Sequence, residues 1–185
     1  RKERPSALLP VGNTEAHGPH LPVAADTVIA TEMARRTALK LKARGQHALI
    51  APPITFCVSE LGAEFPGTVS LPADTVVALL RDVSVALAKK FRAVAFVNVN
   101  QEAANLEALK RAAEEAKKAG AGICFTEFAK KRWNDRLGAA FNAGDHGGSF
   151  ETSLMMACAR AQVREKERIS LPPMDALSPA LKKGA

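Results

Sequence analysis

Tyrosine is absent from this 185-residue chain, and aromatic residues make up only 5% of it. Cysteine is scarce too: Cys57, Cys124 and Cys158 are widely spaced and form no CxxC pair. An odd, dispersed set of thiols among apolar or small neighbours excludes a disulfide framework. It predicts buried free thiols in a reducing, cytoplasmic compartment. No run of 18 or more apolar residues occurs, which excludes a helical membrane span. Repeats and low-complexity segments are missing as well. No dense basic run interleaved with aromatics accompanies the net charge of +7, so nucleic acid is not an expected partner. Lys and Arg lie in segments of helical period beside Glu and Asp, as on solvated helix faces. Arg1-Lys2-Glu3-Arg4-Pro5 runs into an apolar stretch with no cleavage-like site, so no signal peptide is read. That stretch already looks like a core strand, and residues upstream of it are expected.

What is present is a 47% hydrophobic and 24% charged chain, enough for one compact domain over residues 1–185. Short apolar runs alternate with amphipathic ones. Strands are predicted at Ser6–Gly12, His47–Ile54, Ala93–Val99 and Ala121–Thr126. A helix is predicted over Thr27–Arg44, with Ile29, Met33 and Leu41 inward and Gly45 as its stop. A second follows over Thr75–Lys90 with Asp74 as N-cap. The third carries an apolar stripe of Ala103, Leu106, Leu109, Ala113 and Ala116, closed by Gly120. A last one runs from Phe150 to Arg160, and the tail with Pro172, Pro173 and Pro179 is expected to be irregular. Strands alternating with helices of this length predict an α/β fold with a mostly parallel sheet covered on both faces. Ligands then sit beyond the carboxyl ends of the strands, in loops 12–26, 55–71 and 98–105 and from Thr126 onward.

Two of those loops concentrate chemistry. The segment from Gly12 to Asp26 places Glu15, His17, His20 and Asp26 in one loop stiffened by Gly18, Pro19 and Pro22. In extended backbone, Glu15 and His17 share a face. Clustered carboxylates repel unless a cation neutralises them, and carboxylate with imidazole is a ligand set for zinc, manganese or iron. The bland alternative makes Asp26 an N-cap and the histidines ordinary loop hydrogen-bonders. In the segment from Gly144 to Ser153, His146 sits on a glycine-rich turn beside Asp145, free to approach a substrate. Here the alternative is capping, with Ser149 as N-cap and Glu151 favoured by the helix dipole. Phe65-Pro66-Gly67-Thr68 alone is only a turn.

Taken together, VGNTEAHGPHLPVAAD, FPGT and HGGSFETS, in that order, resemble the motifs of the creatininase family, the creatinine amidohydrolases and their relatives. The resemblance spans roughly Leu8 to Met156, and members usually run longer at both ends. It implies a three-layer α/β/α fold, assembly into homo-oligomers, often hexamers, and two divalent metal ions per chain. Those ions activate water to hydrolyse a C–N bond of a small molecule, a cyclic amide or formamide. Relatives open creatinine, deformylate a pyrimidine intermediate or trim a peptide in mycofactocin maturation. The resemblance implies that Glu15 ligates one metal, His17 the other, that Asp26 bridges them, and that His146 transfers a proton. Glu151 is a further candidate, as a supporting acid or a helix-start residue.

One motif departs. Where the family has Asn-Gly-His-Gly-Gly-Asn, this chain has Asn100-Gln101-Glu102-Ala103-Ala104-Asn105. Glu102 stands at the ligand histidine, and Ala104 at a further ligating Glu of creatininase itself. Two expectations follow. In one, Glu102 is a replacement ligand, and Glu15, His17, Asp26 and Glu102 favour a hard ion such as manganese. In the other, a metal is lost and Glu102 merely begins the next helix. The leading functional expectation is a metal-dependent amidohydrolase; the rivals are a non-catalytic binding or assembly subunit and, more weakly, a nucleic-acid binder.

Overall fold

The computed structural model describes residues 4–125, 136 and 146–171. Among the described residues, four parallel strands form one sheet in the order β2-β1-β3-β4: β1 (Ser6–Val11), β2 (Ala48–Ile50), β3 (Val94–Asn98) and β4 (Ile123–Phe125). The connecting helices are α1 (Ala25–Ala43), α2 (Ala73–Ala88) and α3 (Ala103–Lys118). Then come α4 (Ser149–Ala159) and a short α5 (Glu165–Ile169). The chain steps from β1 to β2 in one direction, then from β2 past β1 to β3 and β4 in the other. Right-handed crossovers must then put α1 on one face and α2 and α3 on the opposite face. The packing agrees: α2 lies against α3, while α1 lies against α4. This is a three-layer α/β sandwich.

Alternation within β1 splits the core. Ala7, Leu9 and Val11 join Val94 and Phe96 in a cluster with Val76, Leu80, Ala108 and Leu109 of α2 and α3. The other face of β1 meets α1, whose Ile29 packs in a second cluster with Met155 of α4. β1 is half-buried only at Ser6 and buried from Ala7 to Val11, as expected of a strand covered on both faces. Pro10 in this inner strand has a local reason. Even-numbered N–H groups of β1 point toward the β2 side, as Ser6 N–H to His47 O and Gly12 N–H to Ile54 O show. β2 ends at Ile50, so the donor that Pro10 lacks falls where the ladder has already stopped.

Several expected details shift. β2 stops before Pro52-Pro53, and only an isolated bridge between Val11 and Ile54 continues it. α2 begins at Ala73 with Pro72 at its N-cap position, and Asp74 sits exposed in the first turn, 2.7 Å from Arg111. The α3 stripe is buried at Leu109, Ala113 and Ala116 as expected and widened by Asn105, Ala108 and Ala112, while Leu106 is half-buried and Ala103 exposed. The polar Asn105 turns inward because its amide bonds Asn100. Cys57 is buried, but Cys124 is exposed and Cys158 half-buried, contrary to the expected set of buried thiols. Among the described residues β4 is the outer strand of the sheet and pairs with β3 alone. The expected strand end at Thr126, the loop beyond it, Asp145 and the proline-bearing tail lie outside the described residues. No helix of the described residues is long and apolar enough to cross a membrane.

Candidate metal centre

The sheet order opens a crevice between the ends of β1 and β3, because the loops that leave these neighbouring strands diverge. The β1 loop enters it under tight constraint. A Cβ on Gly12 would lie 2.5 Å from the backbone nitrogen of Thr27, so only glycine passes the start of α1. Asn13 Nδ2 then donates to Val58 O at 2.6 Å and Ser59 Oγ at 2.7 Å. Val69 N–H bonds Thr14 O, and Ala16 N–H bonds Thr68 Oγ1, both at 2.9 Å. The FPGT turn therefore does more than reverse the chain: its Thr68 pins the loop that carries the site. Glu15 and His17 both point inward, each 1% exposed.

Nδ1 of His17 lies 3.0 Å from the carbonyl oxygen of Glu15. A carbonyl only accepts, so Nδ1 donates its proton, and the lone pair available to a ligand is on Nε2. Nε2 faces Glu15 Oε1 at 3.5 Å, Asp26 Oδ1 at 3.5 Å and Glu151 Oε2 at 3.6 Å. Neither Nε2 nor Asp26 Oδ1 has a hydrogen-bond partner among the described residues, although both are buried. Ligand atoms around a tetrahedral zinc at ~2.0–2.2 Å stand about 3.3–3.6 Å apart. The donor set and its spacing thus fit a divalent cation.

The electrostatics agree. Burial first, and the neighbouring Asp26 second, push the Glu15 carboxyl up to about 8 from an ordinary 4.5. For His17 burial is the largest single influence and pulls its pKa down, but Asp26 and Glu151 together outweigh it and hold it well above 6.5. The pocket thus demands positive charge at Nε2, from a proton or from a cation.

Asn100 holds the two inner carboxylates. Its Nδ2 donates to Glu15 Oε1 at 2.8 Å and Asp26 Oδ2 at 3.1 Å. Its own Oδ1 accepts from Glu102 N–H and from Asn105 Nδ2, and its carbonyl from Asn98 Nδ2. In the sequence Asn100 stands only as a residue of the departing motif, with no role of its own. Its bonds reach Glu15 and Asp26, 85 and 74 positions away, a pairing that no local pattern exposes.

The other wall is the turn into α4. Glu151 Oε2 accepts from Gly147 N–H at 2.6 Å, which explains why this acid occupies the third helical position. Gly148, not Ser149, holds the cap position, and Ser149 is the first residue of the helix. His146 Nε2 lies 2.7 Å from Ala16 O, so that nitrogen donates and Nδ1 is left facing Glu15 Oε1 at 3.7 Å. The His146 ring stacks on His17 with centroids 4.5 Å apart. Gly147 has φ of 66°, and a Cβ there would stand 2.9 Å from His17 O. Gly147→Ala is expected to cost about 1–3 kcal/mol, seen as a lowered urea midpoint at unchanged slope. An unchanged midpoint would show that the turn does not press on His17.

His20 stands apart. Its Nε2 is 2.8 Å from Thr152 Oγ1 and its carbonyl accepts from Arg164 N–H, so it ties the loop to α4 and α5. Glu102, expected as a replacement ligand, stands in neither group of ligand-capable atoms that converge among the described residues. Its Oε1 accepts from Glu60 N–H at 2.9 Å and Leu61 N–H at 3.4 Å. The physical reason is that two consecutive amides offer the half-buried carboxylate better partners than three other carboxylates do. Glu102 also occupies the N-cap position of α3, at the start of the helix as the alternative expected, without a side-chain cap bond.

Comparison with known proteins bears on the family and the fold. The family model described as "Creatininase: Creatinine amidohydrolase" matches residues 1–182. The mycofactocin precursor peptide peptidase of Mycobacterium ulcerans (strain Agy99) is 33% identical over 97% of this chain and 70% of its own length. The creatinine amidohydrolase of Pseudomonas putida is 29% identical over 81% of this chain and 63% of its own. A solved structure titled "Creatininase Mn" superimposes with a TM-score of 0.69 at 25% identity, covering 95% of this chain and 73% of that one. Motifs, sheet order and comparisons converge, and the chain belongs to the creatininase family.

Proposed function

We propose that the chain is a metal-dependent amidohydrolase that cleaves a C–N bond of an amide or formamide in a small molecule. The observation that carries this reading is the bare Nε2 of His17, buried without a partner among the carboxylates of Glu15, Asp26 and Glu151. His17, Asp26, Glu151 and Glu15 would hold a divalent ion, with manganese, zinc or iron suited to mixed oxygen and imidazole donors. Such an ion supplies Lewis acidity toward a carbonyl and acidifies water. Asn100 keeps Glu15 and Asp26 aimed inward by sharing one amide between them. His146 is exposed at the mouth, with Nε2 anchored on Ala16 O and Nδ1 turned toward the centre. That nitrogen is the group placed to take a proton and pass it to a leaving amine. Stacking on His17 fixes the plane in which it does so.

A peptide amide is the second reading, because relatives at 33% identity carry the name of a peptide peptidase. One experiment covers both. Chelator-treated protein reloaded with Mn²⁺ or Zn²⁺ is offered creatinine, N-formyl compounds and short peptides, and amine release is followed. Hydrolysis of one class that the chelator removes and metal restores is the expected result. A metal-loaded protein inert toward all three would overturn the reading in favour of a non-catalytic subunit.

A further inference from the structure

We infer that the centre holds one divalent cation per chain rather than a pair, and that Glu102 serves it as a positioning residue through the loop it tethers. The inference rests on the metal-dependent reading above. Among the described residues, ligand-capable atoms form two groups, Glu15 with His17 and His146, and His17 with Asp26 and Glu151. Both groups need His17. An imidazole nitrogen has one lone pair, and the proton on Nδ1 is donated to the Glu15 carbonyl. Nε2 can therefore serve one ion at a time. Deprived of His17, either group falls to two side chains, fewer than the three that a catalytic site keeps. Asp26 turns Oδ2 to Asn100, while Oδ1 has no partner among the described residues and is the oxygen that faces His17 Nε2.

The two motif positions that the family resemblance makes further ligands, 102 and 104, join neither group among the described residues. Ala104 has no donor atom, and Glu102 Oε1 takes the amides of Glu60 and Leu61. Those amides open the turn that closes over Glu15. Gly62 is buried there, with a Cβ position 3.9 Å from Glu15 Cβ. The same turn continues to Thr68, which accepts from Ala16 N–H. Glu102 thus holds the wall against which Glu15 is packed, without touching the ion.

The test is calorimetric titration of chelator-treated protein with MnCl₂ and ZnCl₂, backed by elemental analysis after desalting. One equivalent is expected. Two equivalents would overturn the inference and leave the metal-dependent reading standing; none would overturn that reading itself. Glu102→Ala should keep one equivalent while the Glu60 and Leu61 amides exchange hydrogen about tenfold faster or more. Glu102→Gln retains a carbonyl acceptor and should restore slow exchange at the same metal count. If the alanine variant does not fold, the glutamine variant decides alone. Loss of the ion from it would make Glu102 a ligand; retention supports the tether.

Discussion

His17→Ala is expected to lower divalent-metal affinity by more than about 100-fold, since losing an outer partner of a metal ligand alone costs roughly 10–100-fold. The size follows from the shared position of this residue. Every group of ligand-capable atoms among the described residues includes it, so no alternative triad survives the substitution. The framework, by contrast, does not depend on it. Asn100 still bonds Glu15 and Asp26, Glu151 still bonds Gly147, and Thr68 still pins Ala16. Far-UV circular dichroism should therefore be unchanged while competition against a chromophoric chelator reports the loss. A variant that binds metal as tightly as the parent would remove His17 from the centre.

The metal-free protein is expected to lose stability steeply as pH rises from about 5 to about 9. Glu15 has a folded value of about 8 against an ordinary 4.5. Between those values the folded state keeps a proton that the unfolded chain has released, so raising pH favours unfolding. His17 acts in the same sense. Its folded value is raised, so its stabilisation is complete below its ordinary 6.5 and is lost as pH climbs through the higher folded value. At 1.36 kcal/mol per unit the Glu15 shift alone corresponds to on the order of 5 kcal/mol. For a chain of this size that is a fall in Tm of roughly 10 °C or more. A bound cation replaces those protons, so the loaded protein should show a much flatter profile. Differential scanning calorimetry with and without metal measures both curves. Stability of the metal-free form that rose with pH over this range would mean that Glu15 and His17 are not protonated partners in the fold.

Much of the centre was legible along the chain because its parts are close in sequence. Glu15 and His17 are two residues apart in extended backbone, and the structure brings them to one face as that spacing implies. Gly147 beside His146 is a local feature too, since only a residue tolerant of positive φ lets the turn approach His17 O. Asp26 was legible as a loop acid but not as a buried one, for burial depends on where α1 meets the sheet. Glu151 offered two readings, cap or acid, and its carboxylate in fact does both, bonding Gly147 N–H and facing His17. Glu102 could not be resolved from its neighbours, because its partners, Glu60 and Leu61, lie 42 and 41 positions away.

By itself the sequence determined the alternation of strands and helices, the parallel sheet and the loops that bear carboxylate and imidazole. These follow from periodicity and turn chemistry, which act over a few residues. Only the tertiary structure decided which side chains meet. The reversal of strand order at β1 set the ends of β1 and β3 side by side, so that Asn100 reaches both Glu15 and Asp26. Packing of α4 on α1 brought Glu151 and His146 to the same point. The loop between β2 and α2, meeting the start of α3, gave Glu102 two backbone amides as partners, and a carboxylate bonds donors in preference to other carboxylates.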